Sequence, residues 1–209
     1  LFLDEFPEFE RRVIETLRQP LEERVVSISR AKGSAEFPAD FILIAAMNPC
    51  PCGNFNIKGK DCRCTPIEIA RYQKKISGPI IDRIDLWLEV GQIDHEKLAR
   101  KDRGEPTAAI QERVHAARER QAQRFFKHKR GIKRNSQMNA RDIEHLIELN
   151  QETQEALTAA AKKLDLSARA YHRVIKLART IADLEGDAHV KLPHLLEALQ
   201  YRPKLGSSY

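Results

Sequence analysis

A chain of 209 residues with 42% apolar side chains has enough material for one medium domain or two small ones with real cores. Charged residues make up 32% and aromatics 6%, a balance that reads as soluble, helix-rich and intracellular and excludes a β-sandwich or a disordered tail. The net charge is +6, yet the excess sits in one place: Arg113–Arg134 holds nine basic residues and a single acid, Glu119. That window raises a polyanion as its neighbour; a solvated helix face running into a basic loop is the alternative.

In chain order, Leu1-Phe2-Leu3 reads as a buried strand ending in Asp4-Glu5, and Pro7 opens a helix expected through about Arg18. Phe9, Val13, Ile14, Leu17 and Leu21 supply its apolar stripe. Alternation in Val25–Ile28, then Lys32-Gly33-Ser34 as a turn, predicts a hairpin over 25–37 with its tip near Lys32. Phe41–Met47 is the longest apolar run, seven residues, typical of a strand buried on both faces and far short of the ~20 that a membrane helix needs. No signal peptide is read, because Asp4-Glu5 interrupts the hydrophobic start, so a cytoplasmic protein with no membrane partner is expected. A Cys-rich loop over 50–64 precedes a helix from about Pro66 to Ser77, and Ile84–Val90, with Trp87, reads as a second buried strand.

Beyond that the pattern is helical. Pro106 starts a long helix to about Lys127 and Gly131 breaks it. Asn139 caps a helix to about Leu149, another spans Gln151 to Leu164, Ser167 caps one ending near Gly186, and Pro193 opens a last one to Tyr201. The expected organisation is an α/β part over 1–92, a connecting basic helical segment over 93–134 and a helical lid over 135–203.

Three groups bear on phosphoryl transfer. A strand ending in Asp4-Glu5 holds one carboxylate where it can bind Mg²⁺ and a second where it can polarise water. Asn48 ends the next apolar strand and offers an amide to orient that water, although Asn before Pro is also ordinary turn chemistry. Arg83, in Gly78-Pro79-Ile80-Ile81-Asp82-Arg83-Ile84-Asp85, offers a guanidinium to a γ-phosphate across a subunit interface, or a salt bridge to Asp82 or Asp85. A fourth group is Cys50-x-Cys52 and Cys62-x-Cys64. Four thiolates suit tetrahedral Zn²⁺ as a structural staple, with plain reduced thiols as the alternative. On the helix after Ser167, Arg169, Arg173 and Lys176 share one polar stripe. The seven His show no ligand spacing and are read as surface residues.

LFLDEFPEF (1–9), LRQPLEERVVSISRA (17–31), FPADFILIAAMNPCPCG (37–53), CRCTP (62–66), KISGPIIDRIDLWLEV (75–90) and LSARAYHRVIKLARTIADL (166–184) together resemble the magnesium-chelatase-like AAA+ ATPases of the ComM/YifB family. The resemblance implies a partial AAA+ P-loop NTPase core followed by an all-α lid, with ATP and Mg²⁺ as cofactors. It implies Walker B for Asp4 and Glu5, sensor 1 for Asn48, an arginine finger for Arg83 and sensor 2 for Arg169. It further implies a hexameric homo-oligomeric ring acting on single-stranded or branched DNA as a branch-migration helicase, with Arg30 and Lys32 of the hairpin on DNA. The rival expectation is a chelatase-type subunit that remodels a protein partner for metal insertion. No G-x-x-x-x-G-K-[ST] occurs in the sequence, so the chain is expected to be a fragment, poor at binding ATP alone, with its two buried strands separated by a strand it lacks.

Overall fold

A computed structural model describes residues 1–31, 33–91 and 104–203, which fall into two units. Lys32 and the boundary expected near residue 92 lie outside the described residues.

The first unit is built on Leu1–Ile84. Its opening strand β1 (Phe2–Leu3) pairs in parallel with Ile44–Ala45, with Phe2 opposite Ile44 and Leu3 opposite Ala45. Between them come a 3₁₀ turn (Phe6–Glu8), helices α1 (Arg11–Thr16) and α2 (Arg18–Glu23), and the hairpin β2 (Val25–Arg30) and β3 (Gly33–Pro38). The strand Ile44–Ala45 is β4. The single expected helix is thus split: Pro7 sits in the 3₁₀ turn, and Arg24 in a left-handed conformation (φ 59) ends α2. Of the expected stripe, Ile14 is buried while Phe9 and Val13 are exposed. The hairpin register runs from Val25 opposite Pro38 to Arg30 opposite Gly33, which puts Val26, Ile28, Ala35 and Phe37 on one face.

Two strand expectations are corrected. Only Ile44 and Ala45 of Phe41–Met47 form a strand, and the run is not buried on both faces: Ile42 is 75% exposed and Ile44 58%. Ile84–Val90 forms no strand; Leu88 is 71% and Val90 90% exposed. A buried strand needs a paired neighbour for its N–H and C=O groups, and among the described residues none lies beside this segment. Asp85–Glu89 belongs instead to the second unit, where the Trp87 N–H donates to Tyr201 O at 2.9 Å.

After the Cys-rich loop, α3 (Pro66–Gln73) starts at Thr65, whose Oγ accepts from Glu68 N while the Glu68 carboxylate accepts from Thr65 N, a reciprocal cap on the helix start. A short α4 (Gly78–Ile81) follows. Phe6, Ile14, Cys50, Tyr72, Ile76 and Ile80 are the buried apolar side chains of this unit.

The second unit is helical: α5 (Thr107–Phe125), a 3₁₀ turn (Asn135–Gln137), α6 (Ala140–Leu146), α7 (Gln151–Lys163), α8 (Ala168–Glu185) and α9 (Leu192–Gln200). Two helix starts, at Asn139 and Ser167, follow the caps read from sequence, and Asn150 adds a third that was not read. Asn139 accepts from Asp142 N, Asn150 from Thr153 N and Ser167 from Ala170 N. Gly186 (φ +85) closes α8 in the left-handed conformation that a side chain disfavours. α8 is the hub: Val174, Ile175, Ala178, Ile181 and Ala182 join Phe125, Ile132, Met138, Ile143, Leu157, Val190 and Leu195 in one core.

The basic window is partly structural. Arg124 makes a two-pronged contact with Asp183 at 2.5 and 2.9 Å, and Asn135 (2.8 Å) and Arg179 (2.9 Å) donate to the same carboxylate. Asp183 has no exposed surface; burial alone would raise its pKa, but the bonds from Arg124 and Asn135 outweigh that and lower it. Arg120 donates to Asp183 O at 2.9 Å, and Arg130 pairs with Asp142. Arg118, Lys127, Lys129, Lys133 and Arg134 are exposed.

Candidate functional site

The parallel pairing of β1 with β4 brings the sequence-predicted acids and Asn48 to one edge. Asp4-Glu5 directly follow β1, Met47-Asn48 follow Ala46 at the end of β4, and the Phe6 N–H donates to Ala46 O at 2.9 Å. All three side chains are exposed at the carboxyl ends of adjacent parallel strands, where α/β proteins bind ligands. Glu5 sits in the left-handed region at φ 49, a costly backbone for a non-Gly residue, and its N–H donates to Asp4 Oδ1 at 2.9 Å. That contact orients the Asp4 carboxylate and leaves Oδ2, a hard oxygen donor suited to Mg²⁺ or its water.

Arg83 is held elsewhere in the same unit. Its Nε donates to Arg18 O at 3.1 Å and lies 3.2 Å from Glu22, and Nη1 donates to Pro79 O at 2.8 Å. The side chain is 12% exposed. Arg169, in the first turn of α8, is exposed in the second unit; further along that stripe Arg173 pairs with Asp85, and Lys176 reaches Ser136 O at 3.4 Å. Arg30 closes β2 opposite Gly33 and is exposed.

The four Cys converge. Cys50, Cys52, Cys62 and Cys64 offer sulfurs that all lie within 4.8 Å of one another, and the Sγ–Sγ separations are 3.4 Å (50–52), 3.6 Å (52–62) and 3.7 Å (50–62). No pair is a disulfide. A tetrahedron with Zn–S bonds of about 2.3 Å has edges of about 3.8 Å, so the donor set fits zinc in number, chemistry and size. Cys50 is fully buried, and the Phe55 N–H points at its sulfur at 3.3 Å. Backbone N–H groups of Arg63 and Asn54 pull the Cys52 thiol down to about 6, whereas burial pushes Cys64 up to about 12. One thiolate forms readily and the last resists, which is the charge problem that a divalent cation relieves. With four protein ligands the centre has no open position for catalysis.

Sequence reading missed the histidines. His194 is buried, and His128 meets Asp142 at 3.1 Å. His194 with Glu185 and Asp187 makes a second group of ligand atoms within 4.8 Å. The hydrogen bonds argue against a metal there. The Lys191 N–H donates to His194 Nδ1 at 3.0 Å, so Nδ1 carries no proton and Nε2 does, donating to Glu185 (2.9 Å) and facing Asp187 (3.2 Å). Metal at Nε2 would need the proton on Nδ1, against that N–H. The trio caps α9. The pairing of His194 with the acids, nine and seven residues away, has no local spacing that could have announced it.

Two family models account for nearly the whole chain: magnesium chelatase, subunit ChlI, over residues 1–98, and magnesium chelatase, subunit ChlI C-terminal, over 104–202. The chain is 46% identical over 203 residues to competence protein ComM of Haemophilus influenzae, covering 97% of this chain and 38% of that protein. It is 41% identical to the uncharacterized protein YifB of Escherichia coli and to that of Salmonella typhimurium, with the same coverage. The chain belongs to the magnesium-chelatase-like family of ComM and YifB. It spans about two fifths of the length of these relatives. No helix among the described residues is long and apolar enough to cross a membrane.

Proposed function

We propose that the chain is part of an ATP-hydrolysing AAA+ motor that forms a ring, hexameric as the resemblance implies, and acts on single-stranded or branched DNA. The observation that carries this is the gathering of Asp4, Glu5 and Asn48 at the ends of two adjacent parallel strands, in a chain of this family. Asp4 holds Mg²⁺, which supplies charge neutralisation on the phosphates. Glu5 accepts the proton of the attacking water and Asn48 orients that water. Arg83, once released from Glu22, serves the neighbouring subunit's nucleotide, and Arg169 contacts a phosphate. Arg30 and Lys32 grip DNA phosphates without reading bases. The phosphate-cradling loop is not in these residues, so the chain alone is inactive.

Cys50, Cys52, Cys62 and Cys64 bind one structural Zn²⁺. The tetrahedral spacing supports this, and metal analysis of protein purified without added zinc should give about one Zn per chain. Four freely titratable thiols and no metal would end that assignment.

The likeness of both parts of the chain to magnesium chelatase subunit ChlI supports a second reading, a chelatase-type subunit that remodels a protein partner. Measuring the ATPase of the whole protein with and without single-stranded and branched DNA separates the two. DNA stimulation is expected; an ATPase indifferent to every DNA form favours the chelatase-type function.

A further inference from the structure

The end of α5 runs into two consecutive tight turns. The His128 N–H donates to Phe125 O and the Gly131 N–H to His128 O, each at 2.9 Å. The residues at the joints face inward. Phe125 and Ile132 belong to the helical core, and the His128 ring is tied at both nitrogens: Nδ1 accepts the Arg130 N–H at 3.3 Å, so Nε2 carries the proton and donates to Asp142 at 3.1 Å. The central pair of each turn is therefore turned outward, Phe126-Lys127 and then Lys129-Arg130, all four exposed. The chain just beyond is pinned as well. Gln137 Oε1 accepts the N–H groups of Lys133 (2.7 Å) and Arg134 (3.1 Å), both also exposed.

Phe126 is 83% exposed, above Phe2, Phe9 and Phe37, at a position fixed on both sides. An exposed apolar residue by itself needs no explanation. Its neighbours make this one informative: residues 126–134 hold five cations, Lys127, Lys129, Arg130, Lys133 and Arg134, and no acid. Arg130 shares its charge with Asp142. Cations alone suit any polyanion, and duplex DNA supplies phosphates while keeping its base faces inside the stack. A single strand supplies phosphates and base faces together, which is the pairing that a ring among cations matches.

We propose that Phe126, with Lys127, Lys129, Lys133 and Arg134, is a contact site for single-stranded nucleic acid in the helical unit. The ring stacks on one base, and the cations neutralise the phosphates on either side of it. The pinned turns hold the ring in one place before the strand arrives, so little ordering is left to pay on binding. No base identity is read, because every base has a π-face. The site lies in a different unit from Arg30 and Lys32, and it needs none of the roles given to Asp4, Glu5, Asn48 or Arg83.

The test uses the whole protein without nucleotide, an oligothymidylate, and a duplex of the same length. Phe126→Ala should weaken binding of the oligothymidylate by about 10-fold, with duplex binding, the slope of log K against log salt and the unfolding transition unchanged. Lys127→Ala with Lys129→Ala should instead weaken both forms of DNA and flatten the slope, by about 0.7 per lost phosphate contact on the single strand. Phe126→Trp should keep the affinity and report stacking directly. Its added indole fluorescence, measured against wild type with Trp87 alone, should be quenched by the oligothymidylate and not by the duplex. Equal losses on single strand and duplex in Phe126→Ala would overturn the stacking role. Unchanged affinity in Phe126→Ala beside an unquenched indole would overturn the site, and a fall in stability with that result would show that the ring packs against another part of the protein. An ATPase still stimulated by DNA in that case leaves the motor standing without this contact, so the two readings fail separately.

Discussion

The two units of this chain hold themselves together by different means. The second has a continuous apolar core around α8 and a buried ionic cluster stitched to three elements, α5, the 135–137 turn and α8 itself. The first buries only a few large side chains, among them Phe6, Ile14 and Ile80, and leaves Phe2, Ile42 and Ile44 facing solvent. Where the second unit uses apolar burial, the first uses local devices: a short parallel strand pair, a capping box and four convergent sulfurs. A helical unit with a continuous core and a unit that carries the proposed site thus share one chain, with apolar burial concentrated in the former.

Removing the central acid of the helical unit is the strongest way to break that contrast. Asp183→Ala leaves Arg124 and Arg179 buried without a counter-charge, which should cost about 3–5 kcal/mol in chemical denaturation followed by helix signal. The same carboxylate gives a pH signature. Its folded pKa is lowered relative to the unfolded value, so its contribution is complete above the unfolded Asp value near ~3.9 and is lost as pH falls through the folded value. Wild type should therefore lose stability in strong acid, and Asp183→Ala should lose less over the same range. A loss under about 1 kcal/mol on substitution would mean that the ionic cluster is incidental to the apolar core.

The unit with the proposed site should respond in function instead. In a complete protein, Glu5→Gln keeps size and hydrogen bonding and removes the base, so turnover should fall by about 10²-fold or more while nucleotide still binds and the melting curve scarcely moves. Near-normal ATPase activity in this variant would falsify the role given to Glu5.

The sequence revealed local structure better than partnership. Ser167, Asn139 and Gly186 announced helix ends because a cap is decided within a few residues, and the hairpin was readable from alternation flanking Gly33. Ile84–Val90 misled because an apolar run becomes a strand only beside another strand, and that neighbour is not written in the run itself. The same limit hid the Asp183 cluster: Arg124 and Asn135 reach it from 59 and 48 residues away. At the candidate site, Asp4, Glu5, Asn48 and the four Cys stood out as strand-end and paired motifs. Glu22, which holds Arg83, and His194 did not, since a lone Glu or His carries no spacing signal.

The ionic cluster also sharpens what the basic window can do for a polyanion. Arg120, Arg124 and Arg130 are engaged inside the helical unit, whereas Arg118, Lys129, Lys133 and Arg134 are exposed. Lys133→Ala with Arg134→Ala should flatten the slope of log K against log salt for DNA by roughly 0.7–0.9 per lost phosphate contact, at unchanged stability. Arg124→Ala should instead act on folding. Equal effects of both substitutions on the salt slope would erase the division between structural and binding cations.

The smallest effect compares the same device in both units. Ser167 and Thr65 each accept the backbone N–H of the residue three positions on, Ala170 at 3.1 Å and Glu68 at 3.3 Å. Either replacement by Ala should cost about 1 kcal/mol locally, within a usual range of roughly 0.5–2. The consequence differs with what the helix serves. α8 carries the main core, so Ser167→Ala should lower the stability of the helical unit by that amount and leave zinc retention unchanged. The cap of α3, Thr65, directly follows Cys64, so fraying its first turn should loosen one sulfur of the proposed zinc centre. Thr65→Ala should then be visible as faster zinc loss to a chelator, with little change in the main unfolding transition. Competition against a chromogenic chelator, run beside denaturation for both variants, reads the two effects separately. Identical zinc-release rates for Thr65→Ala and wild type would show that the cap and the Cys centre are independent, and that the first unit has no more internal coupling than its sparse core supplies.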